Sequence, residues 1–168
     1  MATTFTGLVR AVVSGTFVNV LDLGNVTDGL SKGYSTSFAD GTGSGKAQIQ
    51  FHDQRTLLTT NDETLDLTAL VGAFGAAAFT KIKAVIVSVV TQSNGYRLQI
   101  GGAAENAHSA MFADPADVLE IQAGATLMLT APVNGYTVDA THKNLKIANP
   151  SGGSVTYDII IIGEGAVS

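Results

Sequence analysis

Cysteine and tryptophan are absent from this 168-residue chain, proline occurs three times, and only nine side chains are basic. Without cysteine there is no disulfide, no thiolate zinc site and no cysteine nucleophile. Long apolar runs are missing too: residues 73–79, 84–90 and 159–162 all fall short of the ~18 residues that cross a bilayer. The opening Met1-Ala2-Thr3-Thr4-Phe5 lacks the basic and apolar regions of a signal peptide, so the expectation is a soluble protein made in the cytosol. Nine basic against 14 acidic residues give a net charge of −5. Phosphate binding needs clustered Lys and Arg, and these are scattered, which argues against a nucleic-acid partner. The densest pair is Lys81 and Lys83, and strand alternation predicts both on one solvated face. Charged residues make up 14% of the chain, against roughly 25% in an average domain. With 45% apolar residues and a mean hydropathy of +0.27, this predicts apolar surface covered by another chain.

What is present is strand patterning. Ile49 and Phe51 alternate with Gln48, Gln50 and His52, and Leu65 and Leu67 repeat the pattern briefly. Residues 79–91 are apolar on both faces around 85–90, which predicts a central strand or one covered on its second face by a neighbouring subunit. Further alternating runs carry Leu98 and Ile100, Leu119 and Ile121, Leu127 and Leu129, Leu145 and Ile147, and finally Tyr157, Ile159 and Ile161. From residue 47 on this makes eight strands. Asn94-Gly95 and Asn134-Gly135 supply turn chemistry, Ala123-Gly124 reads as a hairpin turn, and residues 149–153 break any regular element. One or two helical turns are expected in the alanine-rich stretch 68–77. Before residue 47, stretches 8–13 and 16–21 read as two strands joined at Ser14-Gly15. Residues 22–46, rich in Gly, Ser, Thr and Asp, read as a long surface loop or an arm ordered by a partner. The expected layout is one domain, with N-terminal strands and a flexible arm over 1–46 and an all-β two-sheet sandwich over 47–168.

The search for chemistry excludes more than it finds. Asp40-Gly41-Thr42-Gly43-Ser44-Gly45-Lys46-Ala47 looks like a phosphate-binding loop. Such a loop needs glycine where Asp40 stands, Ser or Thr where Ala47 stands, and a following helix, so it reads as a flexible loop. His52, His108 and His142 have no metal-ligand spacing, and no serine sits in a nucleophile elbow. Asp114-Pro115-Ala116-Asp117 and the scattered Asp22, Asp28 and Asp40 lack the carboxylate density of a calcium site. No facing carboxylate pair suggests glycoside hydrolysis. The expectation is a non-enzymatic protein with no catalytic residue, cofactor or metal. Two patches are candidates for contact. Val85, Val87, Val89, Ile160 and Ile162 form a candidate subunit interface, and Leu30, Tyr34 and Phe38 a candidate partner-binding arm.

Two stretches carry a resemblance. One runs from Phe51-His52-Asp53-Gln54-Arg55-Thr56-Leu57 through Glu63-Thr64-Leu65-Asp66-Leu67 to Phe79-Thr80-Lys81-Ile82-Lys83-Ala84. The other runs from Gly101-Gly102 through Ala113-Asp114, Gly135-Tyr136-Thr137-Val138 and Leu145-Lys146-Ile147-Ala148-Asn149 to Val155-Thr156-Tyr157-Asp158-Ile159-Ile160-Ile161-Ile162-Gly163. In this order they resemble small tailed-phage virion proteins, similar to the jelly-roll cement or decoration proteins of icosahedral heads. The resemblance covers residues 10–163 and implies a jelly-roll-like sandwich. It also implies a virion location on the capsid surface, with the phage major capsid protein as partner and a homo-oligomer, dimer or trimer. The function implied is stabilising the head lattice against internal DNA pressure. A tail, neck or fibre-base protein is the alternative, as is a carbohydrate-binding sandwich; of the four tyrosines available to it, Tyr34, Tyr96, Tyr136 and Tyr157, the alternation turns Tyr96 and Tyr157 inward.

Overall fold

The computed structural model describes residues 4–167; residues 1–3, at the start of the stretch read for a signal peptide, lie outside it. Thirteen strands and one short 3-10 turn follow in order. They are β1 (Gly7–Leu21), β2 (Gly24–Asp40), β3 (Lys46–Ala47), β4 (Ile49–Leu57), β5 (Asp62–Asp66), β6 (Leu70–Gly72), β7 (Gly75–Val89), β8 (Arg97–Gly101), the 3-10 turn (Ser109–Met111), β9 (Val118–Gln122), β10 (Thr126–Thr130), β11 (Tyr136–Thr137), β12 (Asn144–Ala148) and β13 (Val155–Val167). Each of the eight alternating runs is a strand: β4, β5, β7, β8, β9, β10, β12 and β13.

These eight make two four-stranded layers, β10-β7-β13-β4 and β5-β12-β8-β9, with β6 and β11 added along β7. The pairing runs first with last (β4 with β13), second with seventh (β5 with β12), third with sixth (β7 with β10) and fourth with fifth (β8 with β9). That is one long antiparallel hairpin wound over itself, the jelly-roll arrangement. Between the layers Phe51, Leu57, Val85, Val87, Val89, Tyr157, Ile159 and Ile161 face Leu65, Leu98, Ile100, Leu145 and Ile147 in one buried cluster. At roughly 1.5–3 kcal/mol for each large apolar side chain withdrawn from water, this cluster dominates stability.

Three local expectations are corrected. Residues 68–77 form no helix: β6 turns through Ala73-Phe74 into β7, with Gly72 opposite Gly75, and Ala77 takes a core position. Gly75 adopts a φ of 109°, which suits this turn and would break a helix. Ala123-Gly124 is no hairpin: β9 pairs only with β8 and β10 with β7, so this turn carries the chain from one layer to the other. Lys83 is not solvated. Its side chain has no exposed surface, because β7 takes an extra residue there against β13: Ala84 pairs with Ile162 and Ile82 with Gly163. The bulge breaks the two-residue alternation, so Ile82 and Val85 both reach the core while Lys83 is turned aside.

Candidate functional site: the hairpin arm

The N-terminal region is neither two short strands nor a loop. β1 and β2 pair continuously from Gly7–Phe38 to Leu21–Gly24, so Ser14-Gly15 lies mid-strand and the turn falls at Asp22-Leu23. Fifteen residues in β1 make a ribbon about 50 Å long. Only its root touches the body. Phe5, Val9, Phe38 and Ala47 pack on Ala84 and Ile162 of the outer sheet face, with Ile86 and Met128 alongside. The second apolar face of β7 is thus covered by the chain's own N-terminal segment at this point. Residues 12–35 are all exposed.

The root is fastened by a buried ion pair. Lys83 Nζ lies 3.0 Å from Glu164 Oε1 and donates to the carbonyls of Gly43 at 3.1 Å and Val133 at 3.0 Å. Gly43 N–H donates to the same Glu164 oxygen at 2.9 Å, and Gly45 N–H to Pro132 O at 3.0 Å. The glycine-rich loop that mimics a phosphate site is therefore pinned rather than flexible, and its inward groups are used by protein. Burial pushes the Glu164 carboxyl up, but the Gly43 N–H and the Lys83 ammonium outweigh it and hold it below the usual carboxylate value.

Beyond the root, register sorts the side chains. Residues opposite one another share a face, so one face carries Ala11/Tyr34, Val13/Lys32, Gly15/Leu30, Phe17/Asp28, Asn19/Val26 and Leu21/Gly24. This face continues the one that buries Val9 and Phe38 at the root. The other face has Leu8, Arg10, Val12, Val18 and Val20 on β1 but Asn25, Thr27, Gly29, Ser31, Gly33, Ser35 and Ser37 on β2, none of them apolar and large. At the tip Leu23 is fully exposed, with Val20 and Leu21 beside it.

Of the expected arm contacts, Leu30 and Tyr34 stand exposed on the apolar face, whereas Phe38 is 1% exposed and anchors the root. The expected subunit interface is mostly interior. Val85, Val87 and Val89 face the other sheet, and Ile162 is covered by the arm root. Ile160 alone of that set reaches the surface, at 36% exposure. Missed in the sequence were Val13, Phe17, Leu21, Leu23 and Val26. Their signal was the shared parity of Val26, Leu30, Tyr34 and Phe38, masked by the small residues between them.

The remaining chemistry is sparse. No three His, Asp or Glu side chains converge on a possible metal position among the described residues. His52 is exposed, His142 bonds Asp139, and His108 is buried with Nδ1 2.9 Å from His142 O. A depression of about 250 Å³ beside β4 is lined by Phe5, Ile49, Phe51, Phe74 and Val167, with His52 in its wall. Of the four tyrosines, Tyr157 is sealed in the core, its hydroxyl donating to Glu63, and Tyr34 stands out on the arm. No helix among the described residues is long and apolar enough to cross a membrane. A scan against protein-family models finds no match to this chain, and a search of the curated proteins finds none either.

Proposed function

We propose that this chain is a non-enzymatic structural protein of a tailed-phage virion, a cement or decoration protein that binds and stabilises the head lattice built by the major capsid protein. The observation that carries the reading is the apolar tip of the arm: Val20, Leu21 and Leu23, held out on a ribbon whose residues 12–35 are all exposed. A two-stranded ribbon alone is marginal in water, and exposed leucines at its end gain most by entering a groove on another protein. A lattice offers that groove in many symmetric copies, so modest contacts suffice for firm attachment. The resemblance of residues 10–163 to jelly-roll decoration proteins points the same way.

The test is co-sedimentation with expanded, DNA-free heads. The wild-type chain pellets with heads at a fixed stoichiometry, and Leu23→Asp, which places a charge in the docked tip, weakens binding at least tenfold. A wild-type chain left in the supernatant removes the head assignment. Labelling at the tail or neck of intact virions moves the same structural role to that site.

A further inference from the structure

The apolar face of the arm has an internal symmetry that bears on what covers it. Leu30 lies across the ladder from Gly15, and on the same face Asp28 and Lys32 flank Leu30 by two residues on either side. Among the described residues neither charge has an ion-pair partner. Four residues apart on one strand, they are separated by roughly 13 Å and cannot pair with each other. Their cross-strand neighbours are apolar: Phe17 opposite Asp28, and Val13 opposite Lys32.

A dyad through the Leu30–Gly15 pair, perpendicular to the strands, lays a second ribbon antiparallel on the first. It sets Lys32 over Asp28 of the second copy, and Asp28 over its Lys32, so both charges are matched twice per dimer. The same operation sets Val13 against Phe17 and Val26 against Tyr34. Gly15 leaves open space beside Leu30, since a Cβ there would meet nothing within 4 Å, and the two central leucines can lean into it. Both ribbons share the same hand of twist, which lets two sheet faces pack at about 10 Å. The opposite face, with no large apolar side chain along β2, offers no comparable self-complementarity. We infer that the Val13–Phe17–Leu30–Tyr34 face of the arm is a homodimer interface, closed by reciprocal Asp28–Lys32 pairs about a dyad at Leu30. This goes beyond the role proposed for the tip and does not depend on it.

The strip measures roughly 35 Å by 10 Å, on the order of 350 Å² per copy and 700 Å² in total, below the roughly 1,200 Å² at which standard interfaces begin and in the range of weak, transient contacts. Self-association therefore belongs in the micromolar range and is measured at tens of micromolar by light scattering after size-exclusion chromatography. The expected mass is twice the 17.2 kDa of one chain. Asp28→Lys and Lys32→Asp each turn two attractions into two repulsions and weaken the dimer about tenfold or more. The double variant exchanges the charges and returns association toward wild type. Leu30→Asp removes the dimer, while circular dichroism shows the body still folded. A wild-type monomer or trimer at these concentrations, or a double reversal no better than the single ones, overturns the inference. A monomer that still binds heads separates this failure from that of the head assignment, and a dimer that ignores heads is the converse.

Discussion

Lys83 and Glu164 hold opposite charges where water scarcely reaches, and their value lies in what they fasten. A buried pair gains little over an apolar replacement, but losing one member strands the other, at about 3–5 kcal/mol. Glu164→Gln leaves the Lys83 ammonium facing carbonyls alone, so a loss of about 3 kcal/mol is expected in urea unfolding. The pH dependence should change with it. The folded Glu164 carboxyl holds its proton less tightly than the unfolded one, so on acidification the unfolded chain takes up the proton first. That stability is present above about pH 4.5, the ordinary value, and drains away as pH falls through the lower folded value. The Gln variant lacks this limb, and an unchanged acid profile would sink the assignment. His108 acts in a separate window. Burial lowers its proton affinity below the ordinary 6.5, partly opposed by its bond to His142 O, and its Nε2 is buried without a partner among the described residues. The unfolded chain again binds the proton first, so the unfolding temperature falls as pH drops below 6.5. His108→Gln flattens the slope between pH 7 and 5.5; an identical slope means the ring contributes nothing there.

Elements were legible wherever one face is buried and the other wet. β4, β8, β12 and β13 have that alternation, and their periodicity of two announced them. The long apolar run in β7 was legible as a strand but not in its orientation, because the bulge at Lys83 shifts parity midway and the arm root covers part of its outer face. Gly163 shows how tight that irregularity is: a Cβ there would lie 2.0 Å from Lys81 O. Such close approach depends on two strands distant in sequence and leaves only an isolated glycine as a trace. β2 failed to register for a different reason. Its large side chains sit on one face with Gly and Ser between them, a composition that reads as loop because those residues disfavour strands. Continuous pairing with β1 overrides that preference. The site was half legible: Leu30 and Tyr34 could be named, but their companions on β1 required the register.

At the scale of the whole molecule, a jelly roll held by a two-layer core carries a ribbon that no core supports. Ordering one residue's backbone costs roughly 1–2 kcal/mol, whereas an exposed cross-strand pair returns about 0.2–1 kcal/mol. Residues 12–35 therefore add little to the stability of the body and gain most when another surface covers them. The root differs, since Val9 and Phe38 bury apolar surface on the outer sheet face and the Lys83–Glu164 pair clamps the adjoining loop. Replacing residues 11–34 with an Asn-Gly turn keeps the root and joins Arg10 to Ser35, its direct partner across the ladder. The shortened chain is expected to unfold within a few degrees of the full chain in calorimetry, to run as a monomer, and to stay in solution beside expanded heads. A large fall in unfolding temperature would mean that the arm supports the fold. Retained head binding would place the lattice contact on the body, where Ile160 offers the exposed apolar side chain nearest the sheet centre.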